Sequence, residues 1–380
     1  MLRVDLLVLA ATLPLTNVVA RESSGCLGDR KSDLTAIEVA ETLKLEYSPD
    51  APATALAEPR AVVAPDNGLI YLGDAGSMSI KVYDTQGQFV DQFGGRGRGR
   101  AQLLSIQSMA LDGEAIVVAD AYRRAFTWWS LDGTFKRELV LDHEVGWPTQ
   151  FSRLADGRWL LLYLAPPFFH GPLLHIRSRD LSVAEEVVSE LKGLVDADAA
   201  SLFVHASRPG RFALLDGGGT IAYVPGPYEG RVHFFRRSQS GFDHGVLRGY
   251  TPQIKPIQDL DASGDHKFVR SFHAGPSTGG ERAYALSHET LALRFFSGGT
   301  MVHLFRADTP GYEAVLFQVF SPREGKHFGV REIRSLSHEM TTLGWHHEFL
   351  GWSSAGSLFV WHYADGAYPV VRAFQFSCLQ

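Results

Sequence analysis

Apolar and polar residues alternate with a period of two through much of this chain. In "IKVYD", Ile80, Val82 and Asp84 fall on one side and Lys81 and Tyr83 on the other, as in a strand whose successive side chains point to opposite faces. Other stretches, such as "AIVVAD", are apolar almost throughout, the pattern of a strand covered on both faces. Turns carrying Asp and Gly separate these stretches. The order strand, turn, strand, turn, strand, turn, strand is clearest in "EPRAVVAPDNGLIYLGDAGSMSIKVYDTQGQFVDQF" and in "IQSMALDGEAIVVADAYRRAFTWWSLDGTFKREL". "DAGSMSIKVYDTQGQF" opens at Asp74 and "DAYRRAFTWWSLDGTF" at Asp120, 46 positions later, and each sets a Gly 13 residues after its Asp. Four short strands at a period in the forties predict one blade of a β-propeller.

The later chain repeats more loosely. "ALSHETLAL" at Ala285 and "SLSHEMTTL" at Ser335 share Leu-Ser-His-Glu at an interval of 50. "PGPYEGRVHFF" and "PGYEAVLFQVF" set Tyr228-Glu229 and Tyr312-Glu313 84 positions apart, about two blades. The template predicts six units near 57–104, 105–143, 147–194, 203–253, 268–324 and 335–376. Residues 181–194 fit either a helix, with Val183, Val187, Val188 and Leu191 on one face, or an outer strand. Residues 36–47 have no blade of their own and are expected to complete the last one, latching the ring. The predicted fold is all-β: a six-bladed propeller of four-stranded antiparallel blades over 36–376, closed by an N-terminal strand.

A four-stranded sheet of this size cannot bury its own faces. Stacked radially it buries both, and Phe89, Trp128 and Phe135 would supply apolar area between blades, each buried side chain contributing on the order of 1.5–3 kcal/mol. Asp74 and Asp120 stand after the second strand of their units, where an Asp side chain accepts hydrogen bonds from turn amides. That reading makes them structural rather than ligands of a shared metal.

The first unit resembles the NHL-type repeats of six-bladed propellers. The matching residues are Pro59, Asp66, Gly68, Tyr71, Asp74, Gly87, Phe93 and Gly94; the match holds over the first two units and fades after Trp147. The whole chain looks like exported bacterial proteins of that shape. The resemblance implies a fold shared by binding scaffolds, lyases, lactonases and peptide-amide-cleaving enzymes, so it names no single activity. "GGRGRG" within it follows a strand but opens no helix, which fails the context of a phosphate-cradling loop.

Composition narrows the partners. The 380 residues carry 36 Lys and Arg against 42 Asp and Glu, a formal net charge of −6, which argues against a nucleic-acid partner. Residues 1–20 read as an export signal: Arg3, the apolar run "LLVLAATLPL", then Val18 and Ala20 at a cleavage site. The run is too short to span a bilayer. Residues 21–35 and 377–380 are expected to be tails, and the mature protein a periplasmic or extracellular monomer. Two cysteines, Cys26 and Cys378, stand near the two ends; an oxidising compartment would allow a disulfide between them, and a lipid anchor on Cys26 is the other reading.

Candidate chemistry is sparse. Neither a His-Glu-x-x-His pair nor a Gly-x-Ser-x-Gly elbow occurs, and no cofactor motif is identified. In "WHHEF", His346 and Glu348 share a strand face and form a candidate ligand-binding pair. Tyr122, Arg123 and Arg124 form a cationic turn that could meet an anionic ligand or partner. The expected function is that of an exported scaffold binding a small molecule or a protein. The alternative is a metal-assisted, lactonase-like lyase or hydrolase at the axial mouth, using a divalent ion such as calcium.

Overall fold

The computed structural model describes residues 36–37, 39–50, 52–141, 147–164, 172–190, 194, 208–251, 257–259, 271–274, 282–309, 312–343, 346–363 and 368–376. Residues 1–35 and 377–380 fall outside these, and with them the signal segment, Cys26 and Cys378.

Two short strands, β1 (Ala36–Ile37) and β2 (Ala40–Leu45), precede the first blade. That blade is β3 (Pro59–Val63), β4 (Leu69–Asp74), β5 (Ser79–Asp84) and β6 (Phe89–Gly94). The second is β7 (Ser108–Asp112), β8 (Ala115–Asp120), β9 (Ala125–Ser130) and β10 (Phe135–Val140). The third is β11 (Trp147–Arg153), β12 (Trp159–Leu164), β13 (Pro172–Arg177) and β14 (Ala184–Glu190), so the ambiguous segment after Leu181 is an outer strand. The fourth is β15 (Arg211–Leu215), β16 (Thr220–Val224), β17 (Arg231–Ser238) and β18 (Gly241–Arg248). Next come β19 (Ile257–Asp259), β20 (Ser271–Ala274) and β21 (Arg282–Leu286), a separate three-stranded sheet. The fifth blade is β22 (His288–Phe295), β23 (Met301–Thr309), β24 (Tyr312–Ser321) and β25 (Lys326–Ile333). Helix α1 (Arg334–Leu343) leads to the sixth: β26 (His346–Trp352), β27 (Leu358–Tyr363) and β28 (Val370–Gln375), with β2 antiparallel to β28 in the outermost place. β1 adds a parallel edge to β25.

Three expectations from the sequence need correction here. The fifth unit starts at His288 rather than 268, because the three-stranded sheet is inserted between blades four and five. That insertion also explains the long Tyr-Glu interval: Tyr228 precedes the third strand of blade four and Tyr312 opens the third strand of blade five, one blade apart. The repeated Leu-Ser-His-Glu is not a repeat in space. At 286–289 it enters the innermost strand of blade five; at 336–339 it lies in α1.

Alternation within each strand divides the core into six clusters, one per blade interface. On β8, Ile116 and Val118 pack toward blade one, while Ala115, Val117 and Ala119 pack toward blade three. On β9, Trp129 joins the first group and Phe126 and Trp128 the second. This two-sided burial is why the middle strands carry almost no exposed side chain. On β5 the partition breaks the simple polar rule. Lys81 is 3% exposed, and its Nζ donates to the carbonyls of Ala53 (2.6 Å) and Ala55 (2.7 Å), tying the linker ahead of β3 to the blade.

Candidate functional site

The six innermost strands, β3, β7, β11, β15, β22 and β26, surround a cavity of about 540 Å³ to which every blade contributes. Its walls differ. Blades one to three offer mainly small or neutral groups, among them Ala61, Ser108, Met109, Thr149 and Gln150. Gln150 closes the junction of blades three and four: its amide nitrogen donates to the Phe212 carbonyl (2.8 Å) and its oxygen accepts from the Phe212 amide (3.0 Å). The charged lining residues are Arg60, Arg208, Arg211, Arg294, Glu289 and Glu348, four guanidinium groups against two carboxylates.

Most of these charges have identifiable work. Arg60 pairs with Glu58. Arg294 reaches toward the sixth blade and donates to the carbonyls of Ser353 (2.5 Å) and Ser354 (2.7 Å). Glu289 takes Arg306 at 3.1 Å and Arg208 at 3.7 Å, and Arg306 Nε meets Glu313 at 2.8 Å.

Arg211 differs from the rest. Its Nε donates to the Leu291 carbonyl (3.2 Å) and its Nη1 to the Gly210 carbonyl (3.0 Å). Neither partner is charged, and Nη2 has no hydrogen bond among the described residues. Burial holds this guanidinium below its ordinary range; Glu289 and Glu348 pull it back up from a distance, and Arg208 lowers it further. A rigidly held, desolvated cation without a bonded carboxylate is costly unless something else supplies the anion. The backbone around it is equally constrained. Gly210 has φ +94°, and a Cβ there would lie 2.0 Å from the Val224 carbonyl oxygen.

Behind this wall runs a buried network. Thr290 Oγ1 donates to the Pro225 carbonyl (2.6 Å), His303 Nε2 donates to Thr290 Oγ1 (3.2 Å), and Gln318 Nε2 donates to His303 Nδ1 (2.7 Å) and to the Tyr228 hydroxyl (2.7 Å). Burial pushes His303 down to about 3, so it stays neutral and structural. Farther along β23, Asp308 stands opposite Glu313 across the β23–β24 pair. Burial and the Glu313 charge raise Asp308 to about 6, against Arg306 and a Ser287 hydrogen bond.

The residues singled out from the sequence divide as follows. Glu348 lines the cavity; His346 begins β26, but its side chain lies outside the described residues. Tyr122, on the β8–β9 turn, is 74% exposed. Arg123 is held in place: Nη1 donates to the carbonyls of Gly99 (3.2 Å) and Gln102 (2.6 Å), and Nη2 to both oxygens of Glu138 (2.7 Å each). Arg124 takes a positive φ of 51° in the same turn. Asp74 accepts from the amides of Glu58 (2.7 Å) and Ala57 and from the Ser77 hydroxyl (2.8 Å). Asp120 accepts from the amides of Leu104 (2.7 Å), Ser105 (3.1 Å) and Arg123 (3.1 Å). Each Asp thus fastens the chain entering its blade to the turn after the second strand. No group of three or more His, Cys, Asp or Glu that could hold a metal occurs among the described residues. Sequence reasoning missed Arg208 and Arg211. Their signal was available: "RPGRF" sets a Pro and an Arg at the head of an innermost strand, as "EPRAV" does in the first unit.

The fold agrees with the comparisons to known proteins. A family profile described as DUF5128, a six-bladed β-propeller, matches residues 56–222. A protein described as exported from Bacteroides fragilis NCTC 9343 superposes with a TM-score of 0.54 at 10% identity, covering 92% of this chain and 98% of that one. A DUF4221 member from Bacteroides vulgatus superposes with a TM-score of 0.54 at 9% identity, covering 90% and 99%. No curated protein matches the sequence. The class is therefore the six-bladed β-propeller.

Proposed function

We propose that this chain is an exported binding scaffold whose axial cavity holds a small molecule through a carboxylate group seated on Arg211, with Arg208 beside it. The observation that carries the proposal is the Arg211 guanidinium, fixed by two backbone carbonyls and with no bonded carboxylate among the described residues. A carboxylate matches the remaining face of the fork. The cavity is of the size that encloses small organic ligands. Export rests on the N-terminal apolar run and belongs to the same proposal, as do the monomeric state, the NHL-like character of the first two units and a Cys26–Cys378 disulfide in an oxidising compartment.

The test is calorimetry with acetate, succinate and benzoate against their amides. Carboxylates should bind, amides should not, and Arg211→Gln should abolish the difference. Equal binding by Arg211→Gln, or no heat from any carboxylate, would sink the proposal. Metal analysis of the purified protein separates the competing enzyme reading: one tightly held equivalent of calcium would favour a metal-assisted lyase or hydrolase.

A further inference from the structure

We infer that residues 95–104, on the connection from blade one to blade two, form a docking surface for an acidic peptide segment of a partner protein. The loop has a fixed frame. Gly95 N donates to the Met78 carbonyl (2.8 Å), Leu103 N to Gly95 (2.9 Å), Gly97 N to Leu103 (3.0 Å) and Gln102 N to Gly99 (3.1 Å). The Gln102 side chain accepts from the Gly99 amide (2.9 Å). A Cβ on Gly97 would stand 2.1 Å from that side-chain oxygen, so glycine is what lets Gln102 fold under the loop. Leu103 is fully buried in the core. The Arg123 clamp on Gly99 and Gln102, itself held by Glu138, braces the loop from the neighbouring turn.

From this frame Arg96, Arg98 and Arg100 project as exposed side chains. Arg98 and Arg100 have no ion pair or hydrogen bond among the described residues, and Arg96 only donates to the Gly76 carbonyl (3.2 Å). No Asp or Glu occurs from Gln92 to Leu111. Three like charges within five residues repel one another, and Arg98 and Arg100 make no side-chain bond that serves the fold among the described residues. A loop kept this rigid while its cations stay unneutralised is preorganised for an anion. Tyr122, exposed on the adjoining turn, adds an apolar contact of the kind interfaces favour.

The charge of the whole chain selects the partner. At −6 the molecule is repelled by an extended anionic surface such as a membrane. A short acidic segment senses only charges within a screening length of roughly 8 Å, where the loop dominates. Guanidinium forks suit the carboxylates of such a segment.

The test uses the full chain and a short fluorescein-labelled peptide of alternating Asp and Gly with a central Phe, read by anisotropy. The peptide should bind, and binding should weaken as salt rises. The Arg98→Gln, Arg100→Gln double variant should lose affinity by roughly tenfold while keeping its unfolding midpoint and its carboxylate binding in the axial cavity. The matching Asn peptide should not bind. No binding, equal binding by the double variant, or equal binding of the Asn peptide would overturn the inference. So would capture on vesicles of anionic phosphatidylglycerol that depends on Arg98 and Arg100 and that the peptide fails to compete.

Discussion

At the scale of single residues, two aspartates do most to join turn to blade. Asp74 is fully buried and Asp120 nearly so, and each collects amide donors from two separate segments. Removing the carboxylate orphans those donors, which costs about 1–3 kcal/mol for a buried group. Asp74→Ala and Asp120→Ala should each lower the urea midpoint by an amount in that range, with the axial site intact. Gly210→Ala should cost at least about 2 kcal/mol, from a left-handed φ and a clash with backbone, and should also weaken carboxylate binding by displacing Arg211. Asp308 makes a pH prediction. Its folded-state value is raised from 3.8 to about 6, so its ionisation is disfavoured by folding. Stability is fully present below pH 4 and declines as pH rises through 6. Asp308→Asn should therefore match the parent near pH 4 and exceed it near pH 7.5, by on the order of 1 kcal/mol for a partly exposed group. Thermal unfolding at the two pH values checks this; a gain larger at pH 4 would refute the assignment.

At the scale of elements, the outcome depends on neighbours as much as on pattern. The period of 46 in the first two units translated directly into blades because the middle strands there carry their own two-faced apolar code. Leu-Ser-His-Glu did not translate: four residues carry no period, and their surroundings made one copy a strand and the other a helix. Residues 181–194 were open between helix and strand for the same reason. Val183 and Val187, the apolar positions that suggested a helix face, are exposed on the outer edge at 57% and 53%. The strand β2 is the element whose loss should matter most. Leu43 and Leu45 pack into the cluster between blades six and one, so Leu45→Asp would put a charge into that seam. It should cost several kcal/mol and speed hydrogen exchange of the β28 amides more than those of blade three.

At the scale of the molecule, the arrangement concentrates charge on one side of the axis. Blades four, five and six bring Arg208, Arg211, Arg294, Glu289 and Glu348 to a cavity whose other wall carries a single charged lining residue among those described, Arg60, paired with Glu58. A ligand that binds only the closed ring should stabilise it as a whole. At a hundred times its dissociation constant a carboxylate should add about 2.7 kcal/mol to unfolding, and that gain should vanish in Arg211→Gln. Glu348 was legible as a site candidate because a strand face can be counted from sequence. Arg211 was not, because its significance lies in its surroundings: it is held by the carbonyl of Leu291, on a strand 80 positions away, and bonds no carboxylate among the described residues.

The residue pattern alone settled that this chain makes small antiparallel sheets, six of them blades, since alternation and turn chemistry are local properties that each segment carries by itself. Which charges meet at the axis, where an extra sheet is inserted and which guanidinium bonds no carboxylate among the described residues were decided only when the ring closed. Those outcomes depend on distances between segments far apart in the chain, and no local rule contains them.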